Sequence, residues 1–333
     1  MLPESPVTPR AASSEDALRQ QPVATFQPER LVQMLLGCVW LADGALQLQP
    51  YMFGRGFVTG VLMPNAQGNP SPIAGSITFM AHFLEPHITA WNALFAIIQI
   101  GIGVGLLVRR TIKSALALSF AWSLGVWWFG EGFGGLLSGT ASPLSGAPGA
   151  VLLYVIIGVL VWPPRHAEDG AVGAGGGLLS ERGARIVSAL LWLGSAALLL
   201  QPSALDRAAL HDSLVTAAAG QPRWYASLLL RTAHLVGANG LPLTLAFGAG
   251  MIVVGIAISC SKRTVPLLVL ATILALFIWV FPEGLGGILT GQGTDPNTGP
   301  LLVLAVLAWY RYVPEKVPLR RLIVPAALEA AGS

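Results

Sequence analysis

The sequence predicts an all-α, polytopic membrane protein with about eight transmembrane helices, arranged as two parallel four-helix repeats. Two observations on composition predict the membrane class. Of the 333 residues, 54% are hydrophobic and only 11% are charged, against about 25% charged in an ordinary soluble chain. The mean hydropathy is +0.67. A chain this apolar needs the lipid bilayer as the solvent for most of its surface.

The third observation is an internal repeat with a constant spacing. Residues 127–139 read WWFGEGFGGLLSG, and residues 279–291, which lie 152 positions later, read WVFPEGLGGILTG. The same spacing indicates a duplicated unit of about 130 residues, and such repeats fix the architecture of a chain. The spacing of 152 positions also relates identical residues outside these segments, namely Trp40/Trp192, Gln49/Gln201, Pro50/Pro202, Ala81/Ala233, His82/His234, Phe95/Phe247 and Pro148/Pro300.

The domain organisation follows from the repeat and from the polar segments around it. Residues 1–30 are polar and predict a disordered cytoplasmic tail. Repeat 1 covers 31–162, repeat 2 covers 186–313, and the glycine-rich segment 163–185 predicts a flexible cytoplasmic linker. Residues 314–333 form a second cytoplasmic tail. The predicted spans are 31–48, 91–108, 112–129, 149–162, 186–201, 241–259, 264–281 and 300–313.

The distribution of Lys and Arg predicts the orientation. Arg30, the basic turn 109–113, the linker, the pair Lys262/Arg263 and the C-terminal tail all fall on one side, which the positive-inside rule makes cytoplasmic. Both termini are therefore predicted in the cytoplasm of a plasma-membrane protein. The net charge of +3 comes from short basic clusters beside apolar runs, so it indicates orientation and no nucleic-acid partner.

The principal candidate site residues are Glu131 and Glu283, one in each Glu-Gly-x-Gly-Gly turn. A carboxylate at the outer end of an apolar helix is costly unless it is hydrated or paired. Two interpretations stay open. The glutamates bind a cation or relay protons at the interface of the two halves, or they accept hydrogen bonds from the amides of their own turn or of a neighbouring helix.

The loop 292–300 supplies further oxygen ligands to the same candidate ion or proton site. Asp295 and Asn297 lie in the run TDPNTG, which is typical of a turn stabilised by hydrogen bonds from an Asp side chain. The loop is too short and has too few carboxylates for an EF-hand-like calcium loop. A turn is therefore favoured over a calcium site.

A metal site is a separate hypothesis. His82, Glu85 and His87 form the run HFLEPH and, together with Glu131, could bind zinc or copper outside the membrane. The second half keeps His234 but has glycine and asparagine at the other two places. The alternatives are interfacial histidines, or a haem between His82 and His234. The sequence requires no cofactor.

Other features predict no catalytic residue. P-loop, serine-triad and cysteine–histidine patterns do not occur in the sequence. Cys38 and Cys260 lie inside apolar stretches and are predicted to be small buried hydrophobic residues.

The helix patterns also suggest a family. The first helix of each half reads LVQMLLGCVWLADGALQL (31–48) or RIVSALLWLGSAAL (185–198), and ALFAIIQIGIGVGLLVRRTIKSALALSFAWSL (93–124) follows in the first half. An opening helix with a glycine in its second half, a glycine-rich helix, a short basic turn and another apolar helix resemble the DoxX-like group of four-helix membrane proteins. The resemblance covers most of both halves. It implies a membrane subunit of redox enzymes, including thiosulfate–quinone oxidoreduction.

Three functional hypotheses result. The first is a subunit without catalytic residues that anchors or supports a membrane redox or cell-envelope complex, with other membrane subunits and the lipid bilayer as partners. The second is a transporter of a small solute or metal ion with Glu131 and Glu283 near the pathway. The third is a metal-dependent membrane oxidoreductase that uses His82, Glu85, His87 and Glu131.

Overall fold

A computed structural model describes residues 28–163, 177–260 and 264–310. Every regular element in these ranges is helical. Most of the predicted N-terminal tail, most of the linker, the Lys262/Arg263 turn and the predicted C-terminal tail lie outside them.

The first half of the described chain contains five longer helices, and the second half contains six. Short helical turns, from Pro50–Phe53 to Met63–Ala66, connect the first two helices. The first half contains α1 (Pro28–Leu46), α2 (Ser71–Leu84), α3 (Ile88–Leu107), α4 (Ile112–Phe129) and α5 (Ala150–Leu160). The second half contains α6 (Glu181–Leu198), α7 (Ala209–Ala218), α8 (Arg223–Val236), α9 (Gly240–Ser259), α10 (Val265–Val280) and α11 (Thr298–Tyr310).

Local chemistry sets several of the helix ends. The hydroxyl of Ser180 accepts a hydrogen bond from the Gly183 amide at 3.2 Å and caps the start of α6. Helix α10 has a proline in its first turn, where the missing N–H costs nothing. Helix α8 ends at Gly237, whose φ of 48° lies in the left-handed region.

Four helical stretches of the described chain are long and apolar enough to cross a membrane. They are Ser71–Leu107, Arg109–Phe129, Gly240–Ser259 and Val265–Thr290. The first joins α2 to α3 through the short turn Glu85–His87. Helices α5 and α11 are also apolar but shorter.

The short helices α5 and α11 pack against each other in the interior. Helix α4 also packs on α5, and α10 also packs on α11. Helix α1 packs on α3, and α6 packs on α9. Leu153 and Tyr154 of α5 and Leu301 of α11 are completely buried. The centre of the molecule therefore consists of two helices that are too short for an ordinary span and are buried by protein rather than by lipid.

The outer faces of the candidate spans carry large apolar side chains that are exposed, as lipid contact requires. Cys38 and Cys260 are exposed as well, so the prediction that they are buried is wrong. The helical period places both residues on outward faces, which hydropathy alone does not distinguish from inward ones. The exposed apolar residues include Ile97, Val104, Leu118, Leu124, Ile252, Val253 and Ile273.

Candidate functional site

Glu131 begins the turn after α4 and reaches across to the next helix. Its Oε1 accepts a hydrogen bond from the Val151 amide, at 3.1 Å, in the first turn of α5. Its Oε2 has no hydrogen-bond partner among the described residues, although it is shielded from solvent. One carboxylate oxygen of Glu131 therefore caps the N-terminus of α5, and the other has no hydrogen-bond partner in the described chain.

Glu283 has the same relation to α11 but is fully satisfied. Its Oε1 accepts from the amide and the hydroxyl of Thr298, and its Oε2 accepts from the Gly299 amide at 3.1 Å. The side chain is buried, with 8% of its surface exposed. A carboxylate that binds the free amides of a helix N-terminus is stabilised there by hydrogen bonds and by the helix dipole. This geometry matches the interpretation in which the glutamates cap a neighbouring helix.

Asp295 and Asn297 fold the loop before α11. The Asp295 Oδ1 accepts a hydrogen bond from the Asn297 amide at 2.7 Å, and its Oδ2 accepts from the Thr294 hydroxyl at 2.8 Å. This is the Asx turn that the sequence predicts. Asn297 has a φ of 63°, and its Oδ1 accepts from the Thr298 amide at 2.8 Å.

A polar cavity of about 310 Å³ brings three of these four residues together. Glu131, Asp295 and Asn297 line it, whereas Glu283 lies outside it and caps α11. Both halves of the chain contribute to the wall of this cavity. Asp295 and Asn297 come from the second half, and the other lining residues come from the turn and loops of the first half. Those lining residues are Asn65, Glu131, Gly134, Gly135, Thr140, Ala141, Ser145, Gly146, Ala147, Gly149 and Ala150.

Hydrogen bonds hold this wall in place. The Asn65 side-chain amide donates to the Gly130 carbonyl at 2.6 Å and ties the first loop to the end of α4. The indole of Trp127 donates to the Pro148 carbonyl at 2.8 Å and ties the loop before α5 to the same helix. The cavity is therefore a fixed feature of the turns rather than a gap between loose loops.

The cavity carboxyl groups bind protons more tightly than free ones. Burial raises the pKa of Glu131 well above its usual range, the negative charge of Asp295 raises it further, and the α5 amides oppose the shift. Burial also raises the pKa of Asp295, against hydrogen bonds from Thr294 and Asn297. No Lys, Arg or His in the described chain forms an ion pair with either residue. Both groups are therefore arranged to gain and lose a proton closer to neutral pH than a solvated carboxyl.

The histidine cluster lies away from this cavity. The Glu85 Oε1 forms an ion pair with the Arg55 guanidinium at 2.5 Å, and the Glu85 Oε2 lies 3.7 Å from the His82 Nδ1. His82 and His87 are exposed at the junction of α2 and α3, and His234 is exposed on α8. Over the described ranges, no three His, Cys, Asp or Glu side chains come together in a group that could hold a metal ion.

A second and larger cleft, of about 490 Å³, lies between α6 and α9. Its lining includes Arg182, Arg185 and Ser259 and contains no candidate site residue. We place the functional site at the smaller cavity, because there the buried ionisable groups Glu131 and Asp295, from the two halves of the described chain, line one open space.

Sequence reasoning missed part of the polar interior. Tyr154 donates a hydrogen bond to the Asp43 Oδ2 at 2.5 Å, and the sequence gives no reason to connect them across more than a hundred residues. A charge inside an apolar helix was the available signal for Asp43. Comparisons with known proteins add nothing here, since no family model, curated protein or solved structure matches the chain.

Proposed function

We propose that the protein is a plasma-membrane transporter for a small cationic solute, which enters the acidic cavity at the non-cytoplasmic end. The observation that carries the proposal is the cavity itself. It has a volume of about 310 Å³, walls from both halves, two carboxyl groups of raised pKa and one unpartnered carboxylate oxygen. A concave site with a few convergent polar groups is the usual form of a small-molecule site.

The proposal includes eight spans arranged as two parallel repeats of four. Recurring contacts support it. A Cβ added to Gly103 would meet Leu41, and a Cβ added to Gly255 would meet Leu193. Gly255 and Leu193 lie 152 positions after Gly103 and Leu41, so the same contact recurs in both halves. Helices α2 and α8 also begin and end 152 residues apart, at Ser71–Leu84 and Arg223–Val236. The short helices α5 and α11 are then the fourth span of each repeat.

Contacts at the opposite end of the helices support the proposed orientation. The Arg30 guanidinium donates to the Leu106 carbonyl at 2.8 Å, and the Gln33 amide donates to the Val161 carbonyl at 2.8 Å. The start of α1 therefore lies beside the ends of α3 and α5, next to the basic turn 109–113. A shared basic end is what the positive-inside rule assigns to the cytoplasm. The cavity then faces the other side.

The direct test is uptake of radiolabelled methylammonium, a small cation, into proteoliposomes that contain the full chain. We expect uptake by the unaltered protein and a loss of at least about tenfold in Glu131→Gln and in Asp295→Asn, because each removes a negative charge from the cavity. The matched control is Glu85→Gln, which removes an equal charge from the exposed Arg55 pair. Equal uptake in all four proteins would contradict the proposal.

The same assay makes a pH prediction. A carboxyl group with a raised pKa stays protonated and neutral to a higher pH, so the negative charge that attracts the cation is present only above that raised pKa. We therefore expect methylammonium uptake to rise with pH in the unaltered protein. Glu131→Gln should weaken this dependence. Uptake that falls as pH rises would show that the cavity carboxylates do not bind the solute.

The supporting-subunit function predicted from the DoxX-like resemblance is the alternative outcome. Gentle solubilisation followed by native mass spectrometry distinguishes the two. Stoichiometric co-purification with other chains, together with no methylammonium uptake, would favour the subunit. Uptake by the purified chain alone would favour the transporter.

A further inference from the structure

Three buried side chains near the end of α1 have oxygens without a hydrogen-bond partner in the described chain. Asp43, Gln47 and Asn92 are 2%, 5% and 0% exposed, respectively. Their Oδ1, Oε1 and Oδ1 atoms find no hydrogen-bond partner in residues 28–163, 177–260 and 264–310. Buried polar atoms are almost always hydrogen-bonded, and these three acceptors, among sixteen unpartnered buried side-chain atoms in the described chain, belong to residues that hydrogen bonds link to one another.

Hydrogen bonds bring the three residues together where α1 ends and α3 begins. The Gln47 backbone amide donates to the Asp43 backbone carbonyl at 2.9 Å, so the two side chains, four residues apart at the end of α1, point to the same face. The Asn92 Nδ2 donates to the Gln47 carbonyl at 2.7 Å. This bond fixes the orientation of the Asn92 amide, because only its nitrogen can donate. Its oxygen therefore remains an acceptor.

Tyr154 orients the carboxylate. Its hydroxyl donates to the Asp43 Oδ2 at 2.5 Å, which leaves Oδ1 as the free oxygen. Tyr154 belongs to α5 and packs its ring on Trp40, with the centroids 4.5 Å apart. Tyr154 is thus a positioning residue that connects the cluster to the helix capped by Glu131.

The electrostatics of the cluster favour a positive charge. No Lys, Arg or His of the described chain pairs with Asp43. Asp295 is the charged group of the cavity that acts on Asp43, and Glu131 acts on Tyr154 beside it, so both add negative potential. A buried carboxyl group in such a field is stabilised either by taking up a proton or by a partner of opposite charge.

Helix packing does not require these oxygens. In the second half, α6 packs on α9 as α1 packs on α3. The residues 152 positions further along are Ser195, Leu199 and Thr244, and all three are buried. The same kind of contact therefore forms with one leucine and two hydroxyls, without the carboxylate and without the amides.

We propose that Asp43, Gln47 and Asn92 form a binding site for a dehydrated monovalent cation of the sodium type, with Tyr154 positioning the carboxylate. Hard cations select carboxylate and amide oxygens, and carbonyl dipoles replace the hydration shell of a monovalent ion. One carboxylate balances one charge. The proposal rests on the proposed transport function in one respect: the ion bound here would be the coupling ion of that transport.

The experiment measures binding to the full chain in detergent, with no transport step. Thermal unfolding is followed in increasing sodium chloride, with choline chloride keeping the ionic strength constant. We expect sodium to raise the unfolding temperature of the unaltered protein in a saturable way, because a ligand that binds only the folded state stabilises it. Asp43→Asn should abolish the response. Tyr154→Phe should raise the half-saturating concentration by about tenfold.

The controls separate a bound ion from general stability. Ser195→Ala, at the matching place in α6, should respond to sodium like the unaltered protein. If Asp43→Asn does not fold, Asn92→Ala and direct binding of radioactive sodium replace it, with a loss of affinity expected of at least about tenfold.

Three outcomes would overturn the proposal. They are equal unfolding temperatures in sodium and choline, an undiminished sodium response in Asp43→Asn, and a response to pH alone, which would indicate that a proton occupies the carboxylate. Failure of the transport proposal looks different, because sodium stabilisation would then persist while methylammonium uptake is absent.

Discussion

Gly134→Ala is expected to destabilise the protein by about 3 kcal/mol, from about 1–2 kcal/mol of backbone strain together with about 1–3 kcal/mol of overpacking. Gly134 has a φ of 61°, a backbone conformation that residues other than glycine adopt only with strain. A Cβ there would lie 2.2 Å from the Pro148 carbonyl oxygen and 2.3 Å from its carbon. Because both are backbone atoms, no side-chain rotation relieves the contact, and the cavity wall must move.

The matched control is Gly139→Ala. Gly139 has a φ of 73°, but a Cβ added there meets no heavy atom of the described chain within 4 Å. This variant should therefore show only the strain, about 1–2 kcal/mol. Unfolding in detergent, followed by intrinsic fluorescence, measures both. Equal destabilisation of the two variants would contradict the close packing of the turn against the Pro148 peptide.

Glu283→Ala is expected to cost about 3 kcal/mol. It removes three hydrogen bonds and leaves the Gly299 amide unsatisfied at the buried start of α11, while the Thr298 amide keeps its hydrogen bond to the Asn297 Oδ1. A buried donor without a partner costs about 1–3 kcal/mol, and loss of an N-terminal cap costs about 1 kcal/mol in ordinary helices. The same unfolding measurement applies. Because α11 lies in the centre of the molecule, the loss should appear as reduced global stability rather than local fraying.

Glu131→Ala is the natural comparison for that variant. Glu131 accepts one amide hydrogen bond, from Val151, and its second oxygen has no partner in the described chain. We expect a smaller loss of about 1 kcal/mol. If removal of Glu131 destabilises the protein as much as removal of Glu283, the two glutamates do not differ in the way their hydrogen bonds indicate.

The difference in hydrogen bonding between Glu131 and Glu283 also bears on function. Both are N-terminal caps of central helices, which accounts for Glu283 completely. Glu131 lines the cavity, has one solvent-shielded oxygen without a hydrogen-bond partner in the described chain, and lies within electrostatic reach of Asp295. The two Glu-Gly-x-Gly-Gly turns therefore hold one carboxylate whose two oxygens are both hydrogen-bonded and one that keeps an oxygen without a partner in the described chain. The transport proposal depends on this difference.

The sequence alone determined the features that follow from local patterns. Hydropathy predicted helices at the positions of α3, α4, α9 and α10, because a long apolar run is stable only as a helix in lipid. The residue pattern also predicted the Asx turn at Asp295, because an Asp side chain accepts a hydrogen bond from the backbone amide two residues further along. It did not reveal that α5 and α11 are buried by protein, because an apolar helix looks the same against lipid and against protein.

Only the tertiary structure decided which partners the polar groups have. Glu131 and Glu283 cap helices 20 and 15 residues ahead of them, the cavity joins loops from opposite halves of the chain, and Tyr154 bonds Asp43 across 111 positions. The physical reason is that a hydrogen bond or an electrostatic field depends on distance in space. The residue pattern specifies which groups need a partner in a low-dielectric interior, and the packing of the helices specifies which groups come close enough to supply one.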